Sequence, residues 1–207
     1  MSSLFSGFGK RAHSRNEPVI VVSGLPRSGT SMMMKILAEG GVPVVTDELR
    51  SADADNPNGY FELETVKQMP AGNVHWLANA KGKAVKVISS LLEFLPPDYS
   101  YQVIFMEREI REILASQRKM LERRNEQNSI DDVHIEEQFR KHLAVLKPWL
   151  ARQPNMEVLT ISYNELMSNP ETYCRRVIEF TSCGPLALDR MLRVPNGELY
   201  RNRAPGS

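Results

Sequence analysis

Several things are scarce in this chain. Its 207 residues include two cysteines, Cys174 and Cys183. Two thiols do not make a disulfide framework, and neither stands at a zinc-ligand spacing with histidine. A reducing compartment and no bound metal are therefore expected. Charge of one sign is not in excess, since 26 Lys and Arg face 25 Asp and Glu, a net charge of +1. A nucleic-acid or membrane-surface binder needs a basic surplus on one face, so neither partner is expected. No apolar run is long enough for a membrane span or a signal peptide, the opening MSSLFSGFGKRAHSRNE included. That points to a cytoplasmic protein. Internal repeats and low-complexity segments are also missing.

What remains is an ordinary globular composition, 42% hydrophobic and 25% charged. The length suits one domain with a substantial core, over residues 18–200, with a leader at 1–17 and a tail at 201–207. Short apolar runs rich in β-branched residues read as strands at Val19 to Val22, AVKVI (84–88), YQVIFM (101–106) and MEVLTIS (156–162). Helices are expected at Thr30 to Glu39, ended by Gly40 and Gly41, and from Glu62 to Ala80 with a break near Pro70. A further helix over 108–124 carries Ile110, Ile113, Leu114, Gln117 and Leu121 on one face. Another, capped by Asp131 or Asp132, runs to about Arg152 with Pro148 bending it. Asn169 and Pro170 open one more as cap and first-turn proline. Residues 47–59 and 125–130 read as loops. Strands alternating with helices imply an α/β fold with a central, mostly parallel sheet flanked by helices.

The stretch GLPRSGTS, Gly24 to Ser31, lies between the first strand and the first helix. It has the frame of a phosphate-binding loop, G-x-x-x-x-G-K-[ST], but Thr30 stands where a triphosphate enzyme carries lysine. Gly24 and Gly29 supply the turn, backbone N–H groups and the helix N-terminus face an anion, and Ser28, Thr30 and Ser31 offer hydroxyls. Arg27 places a guanidinium inside the loop, able to grip oxyanions through parallel hydrogen bonds. A cation moved three positions earlier implies a ligand other than an ordinary triphosphate.

PRSGTS resembles the 5′-phosphosulfate loop of the sulfotransferases, in the arginine form of tyrosine-sulfating and many bacterial members. A second match follows. YQVIFMEREIREILASQ places Arg108 at a strand end and Ser116 eight residues later, similar to the family's 3′-phosphate site. Strand ends are where open α/β sheets bind ligands, and two helical turns return Ser116 toward the same side. A third is ISYNELMSNPETYCRRVIEF, whose Tyr163 matches a tyrosine that lies near the adenine in the family. The late R-K-G loop of cytosolic members is missing; Arg201 and Arg203 stand near that end of the chain.

The resemblance implies a three-layer, nucleotide-kinase-like P-loop fold. It also implies a sulfuryl donor, 3′-phosphoadenosine 5′-phosphosulfate (PAPS), and transfer to a hydroxyl or amine acceptor. It assigns a second cation to Lys86, matching a lysine that contacts the sulfuryl group. It places the general base at Glu48, twenty-one residues after Arg27 in DELR, with Asp47, His75 and Glu62 of NPNGYFE as rivals. Two other functions fit parts of the pattern. VIFME ends in an acid, a faint echo of the magnesium-holding strand of a P-loop kinase. A non-catalytic nucleotide-binding relative would keep the loop without transfer.

Overall fold

A computed structural model describes residues 17–47, 59–126, 131–181 and 183–195. Its four strands are β1 (Val19–Gly24), β2 (Ala84–Lys86), β3 (Tyr101–Glu107) and β4 (Met156–Ser162). All pair in parallel, in the order β2-β1-β3-β4. The reason lies in the apolar runs. Successive side chains of a strand point to opposite faces, and in the central strands β1 and β3 both sets are mostly apolar and buried. Ile20, Val22, Ile104 and Met106 join one core with α1 (Thr30–Gly40) and α5 (Pro170–Phe180). Val19, Val21, Val103 and Phe105 join a second core on the other face, closed by Leu146 and Leu150 of α3 (Asp132–Leu150). Three layers result. Full burial of each such aliphatic side chain contributes about 1.5–3 kcal/mol, and a buried polar residue costs free energy where it lacks a partner, as Ser23 Oγ of β1 does among the described residues. Gln102 has one, since its Nε2 donates to the Phe180 carbonyl at 2.7 Å.

The remaining helices are α2 (Ile110–Arg123), α4 (Tyr163–Ser168) and α6 (Leu188–Met191). Four local departures from expectation have physical causes. β2 stops at Lys86, because the chain turns at Ile88 into a 3-10 helix, Ser89–Phe94, whose Ser89 is buried and bonded to His142. The region 62–80 forms two 3-10 helices, Glu64–Ala71 and His75–Asn79, separated at Gly72 with φ 84°. Asp131 takes the position preceding α3 but its carboxylate makes no capping bond, while Asp132 pairs with Arg118. β4 runs straight into α4, with Ser162 Oγ accepting from the Glu165 N–H at 3.3 Å.

Because every strand is parallel, the residues that follow β1, β2 and β3 emerge on one edge of the sheet. Sheets of this kind bind ligands on that edge.

Candidate functional site

The loop after β1 is built by two glycines. Gly24 has φ +149°, and a Cβ there would lie 2.5 Å from both the Met106 carbonyl oxygen and Ser28 Oγ. Gly29 precedes α1 with φ +102°, and its Cβ would strike the Tyr163 ring at 2.5 Å. Both positions combine a backbone conformation that favours glycine with no room for a side chain. The first-turn N–H groups of α1 lack intrahelical acceptors by geometry, and Gly29, the residue before them, has no side chain to cap them. Ser28 Oγ is fully buried and meets no hydrogen-bonding partner among the described residues. A buried hydroxyl without a partner, next to an uncapped helix N-terminus, fits an anion.

Arg27 holds φ +67°, a conformation that costs a non-glycine residue on the order of 1 kcal/mol. The turn aims its side chain toward α2. Its Nε donates to Ser116 Oγ at 3.0 Å, and its carbonyl accepts from Arg108 Nη1 at 3.2 Å. Residues more than eighty positions apart thus meet. Arg108 leaves β3, lies over the Tyr163 ring with 4.3 Å from Cζ to the centroid, and pairs through Nε with Glu112 Oε2 at 3.0 Å. The other oxygen of Glu112 accepts from Asn164 Nδ2 at 3.0 Å. Ser116 and Glu112 are buried on the inner stripe of α2 with Ile113 and Leu114. The inner face of α2 is therefore part polar, which an amphipathic reading of 108–124 does not reveal.

On the other side of β1 stands Lys86, with its side chain 9% exposed. Its Nζ lies 3.5 Å from Ser31 Oγ, donates to the Tyr60 carbonyl, and is 3.6 Å from Glu62 Oε1. Phe61, between Tyr60 and Glu62, has φ +49°. The backbone there is bent to bring one carbonyl and one carboxylate to the same ammonium. The Glu62 carbonyl accepts from Thr46 Oγ1 at 2.9 Å and from the Asp47 N–H at 3.1 Å.

The structure thus gathers Arg27, Ser28, Gly29, Thr30, Ser31, Lys86, Arg108, Ser116 and Tyr163 along one edge. Of the expected bases, Glu62 pairs with Lys86. Asp47 accepts from the Glu64 N–H at 2.6 Å, and His75 is exposed on its own 3-10 helix. Glu48, Arg201 and Arg203 lie outside the described residues. Two participants were not anticipated, Glu112 and Asn164. The signal for Glu112 was its place midway between Arg108 and Ser116, four residues from each.

Among solved structures the chain resembles retinol dehydratase in complex with androsterone and the inactive cofactor PAP. The identity is 16%, over 88% of this chain and 65% of that one, with a TM-score of 0.50. It resembles mouse sulfotransferase SULT7A1 complexed with PAP at 13% identity, over 93% of this chain and 68% of that one, TM-score 0.50. A sulfotransferase from Alicyclobacillus acidocaldarius aligns at 14% identity over 90% of this chain and 97% of that one, TM-score 0.47. The chain spans less than two thirds of the retinol dehydratase it matches. The first two likenesses, at such identities, show a shared fold. No curated protein sequence matches significantly. The model of the sulfotransferase family matches residues 60–184, more than half of the chain. That span contains Lys86, Arg108, Ser116 and Tyr163 and begins after the Gly24–Ser31 loop, so the loop is a separate observation. The chain belongs to the sulfotransferase family.

Proposed function

We propose that this chain transfers a sulfuryl group from PAPS to a hydroxyl or amine acceptor. The observation that carries the reading is the contact of Arg27 with Ser116 and Arg108, which joins the phosphate loop to the β3–α2 arginine and serine. PAPS supplies the activated sulfuryl group and two anionic ends, and the site offers two sets of groups to meet them. The N–H groups at the start of α1, with Ser28, Gly29, Thr30 and Ser31, hold the 5′ end. Arg108 and Ser116 hold the 3′-phosphate. Tyr163 supports Arg108 from below and stands on the side of the adenine.

Lys86 and Arg27 supply positive charge to the reacting oxygens, which is the main demand of a loose, in-line group transfer. Cations and backbone donors meet that demand, so we propose a metal-independent reaction. A base within reach takes the acceptor proton. Glu48 and Glu62 are the candidates kept, Glu62 because its carboxylate stands beside Lys86. The two free thiols support a cytoplasmic setting.

The test is calorimetric binding of PAP, the spent donor, against ATP with magnesium, on the native chain and on Arg108→Ala. Preference for PAP and a loss of roughly 100-fold in the variant are expected, the scale of charge-assisted hydrogen bonds to phosphate. Preference for ATP, or indifference to Arg108, would overturn the reading in favour of a kinase.

A further inference from the structure

Glu112 is 2% exposed, a depth at which a carboxylate is rarely found without a task. An unpaired carboxylate there would cost several kcal/mol, so its partners are obligatory. One oxygen takes Arg108 Nε, the other takes Asn164 Nδ2, both at 3.0 Å. Those partners come from different elements. Arg108 follows β3, and Asn164 sits in α4 next to Tyr163, whose ring lies against the Arg108 guanidinium. A guanidinium is planar, so a bond at Nε, a bond from Nη1 to the Arg27 carbonyl, and a ring against its face together fix both its position and its plane.

Resting on the reading of Arg108 as the group that meets the 3′-phosphate, we propose that Glu112 is the positioning residue of that subsite. It locks the plane of Arg108 and ties it to α4, so that the chain distinguishes a 3′-phosphorylated nucleotide from its unphosphorylated counterpart. The role is geometric. A carboxylate near a bound phosphate opposes it through space, so an effect by charge alone would have the reverse sign. The amide of a glutamine can still accept from Arg108 Nε, and Asn164 can turn its oxygen toward the new N–H group.

The experiment measures binding of two probes, PAP and 5′-AMP, which differ by the 3′-phosphate. Glu112→Ala is expected to weaken PAP roughly tenfold while 5′-AMP changes less than about twofold, the scale of one hydrogen bond to a charged group. Glu112→Gln recovers most of that loss. In an Arg108→Ala background, Glu112→Ala brings no further loss of PAP. Should Glu112→Ala not fold, Asn164→Ala, which loosens one tether, shows the same selectivity signature at roughly threefold. An equal fall for both probes, an undiminished effect without Arg108, or tighter PAP binding in either Glu112 variant overturns the proposal. A native chain that binds PAP no better than 5′-AMP overturns instead the sulfotransferase reading beneath it.

Discussion

The two flanks of the phosphate loop are built in different ways. On the β3 side, Arg108, Glu112 and Ser116 belong to one strand end and the helix that follows, spaced four residues apart. Local helical geometry sets their relation, while Arg27, Tyr163 and Asn164 arrive from elsewhere. On the β2 side, Lys86 meets Ser31 of α1 and, from the separate stretch 60–62, the Tyr60 carbonyl and Glu62, with a bent backbone at Phe61 between the two. The first flank is preorganised by secondary structure. The second is assembled from tertiary contacts. On the proposed function, the first flank meets the 3′-phosphate of the donor and the second faces the sulfuryl group.

That difference is broken most severely at the point both flanks share. Gly29→Ala drives a Cβ to 2.5 Å from the Tyr163 ring in a backbone conformation that disfavours it. A destabilisation of about 2–4 kcal/mol is expected from overpacking and strain together, read by thermal unfolding, with PAP binding lost even in the fraction that stays folded. Unchanged stability would mean that Tyr163 is not held against the loop. Lys86→Met sharpens the contrast from one side. It should reduce sulfuryl transfer by roughly 10²–10³-fold, as removal of a transition-state charge donor does, while PAP affinity shifts less than about threefold. Release of PAP from PAPS, with water as acceptor, gives the assay. A large loss of PAP affinity would place Lys86 in donor binding and erase the division between the flanks.

The same division explains which features are legible in the sequence. β1, β3 and β4 were legible because each is a compact apolar run, and Arg108 with Ser116 because their spacing follows from one strand and one helix. β4 matches its expected bounds, 156–162, even though most of it is half-buried or exposed. The 3-10 helices were not legible. The pattern at Glu64–Ala71 carries Val66 and Met69 three apart, which an α-helix and a 3-10 helix both accommodate. Glu112 was hidden for another reason. An acid on an amphipathic helix is assigned to solvent by pattern, whereas its burial and its bonds to Arg108 and Asn164 show that it points inward. Lys86 stood in an apolar strand with no local clue to the carboxylate that would meet it, since Glu62 lies twenty-four positions earlier and reaches it through a bend at a non-glycine residue.

The smallest expected effect lies beneath both flanks. Cys174 of α5 is fully buried in the core that also contains Ile20, Met33, Ile104 and Tyr163. Burial pushes its thiol up to about 11. The folded state therefore holds the proton more tightly than the unfolded chain. The contribution to stability is complete below the ordinary thiol range and is lost as pH rises from about 9 toward 11, because there the unfolded state has already released its proton. Stability should fall with a total on the order of 2 kcal/mol across that window, and Cys174→Ala should flatten the slope at a cost of its own for the lost volume. If the two flanks rest on one core, PAP affinity and Lys86-dependent transfer decline together with the folded fraction between pH 9 and 11. A decline in transfer that precedes unfolding would instead locate the titrating group on the β2 flank and show that the two sides are coupled less by their shared core than by the groups that meet at Arg27 and Ser31.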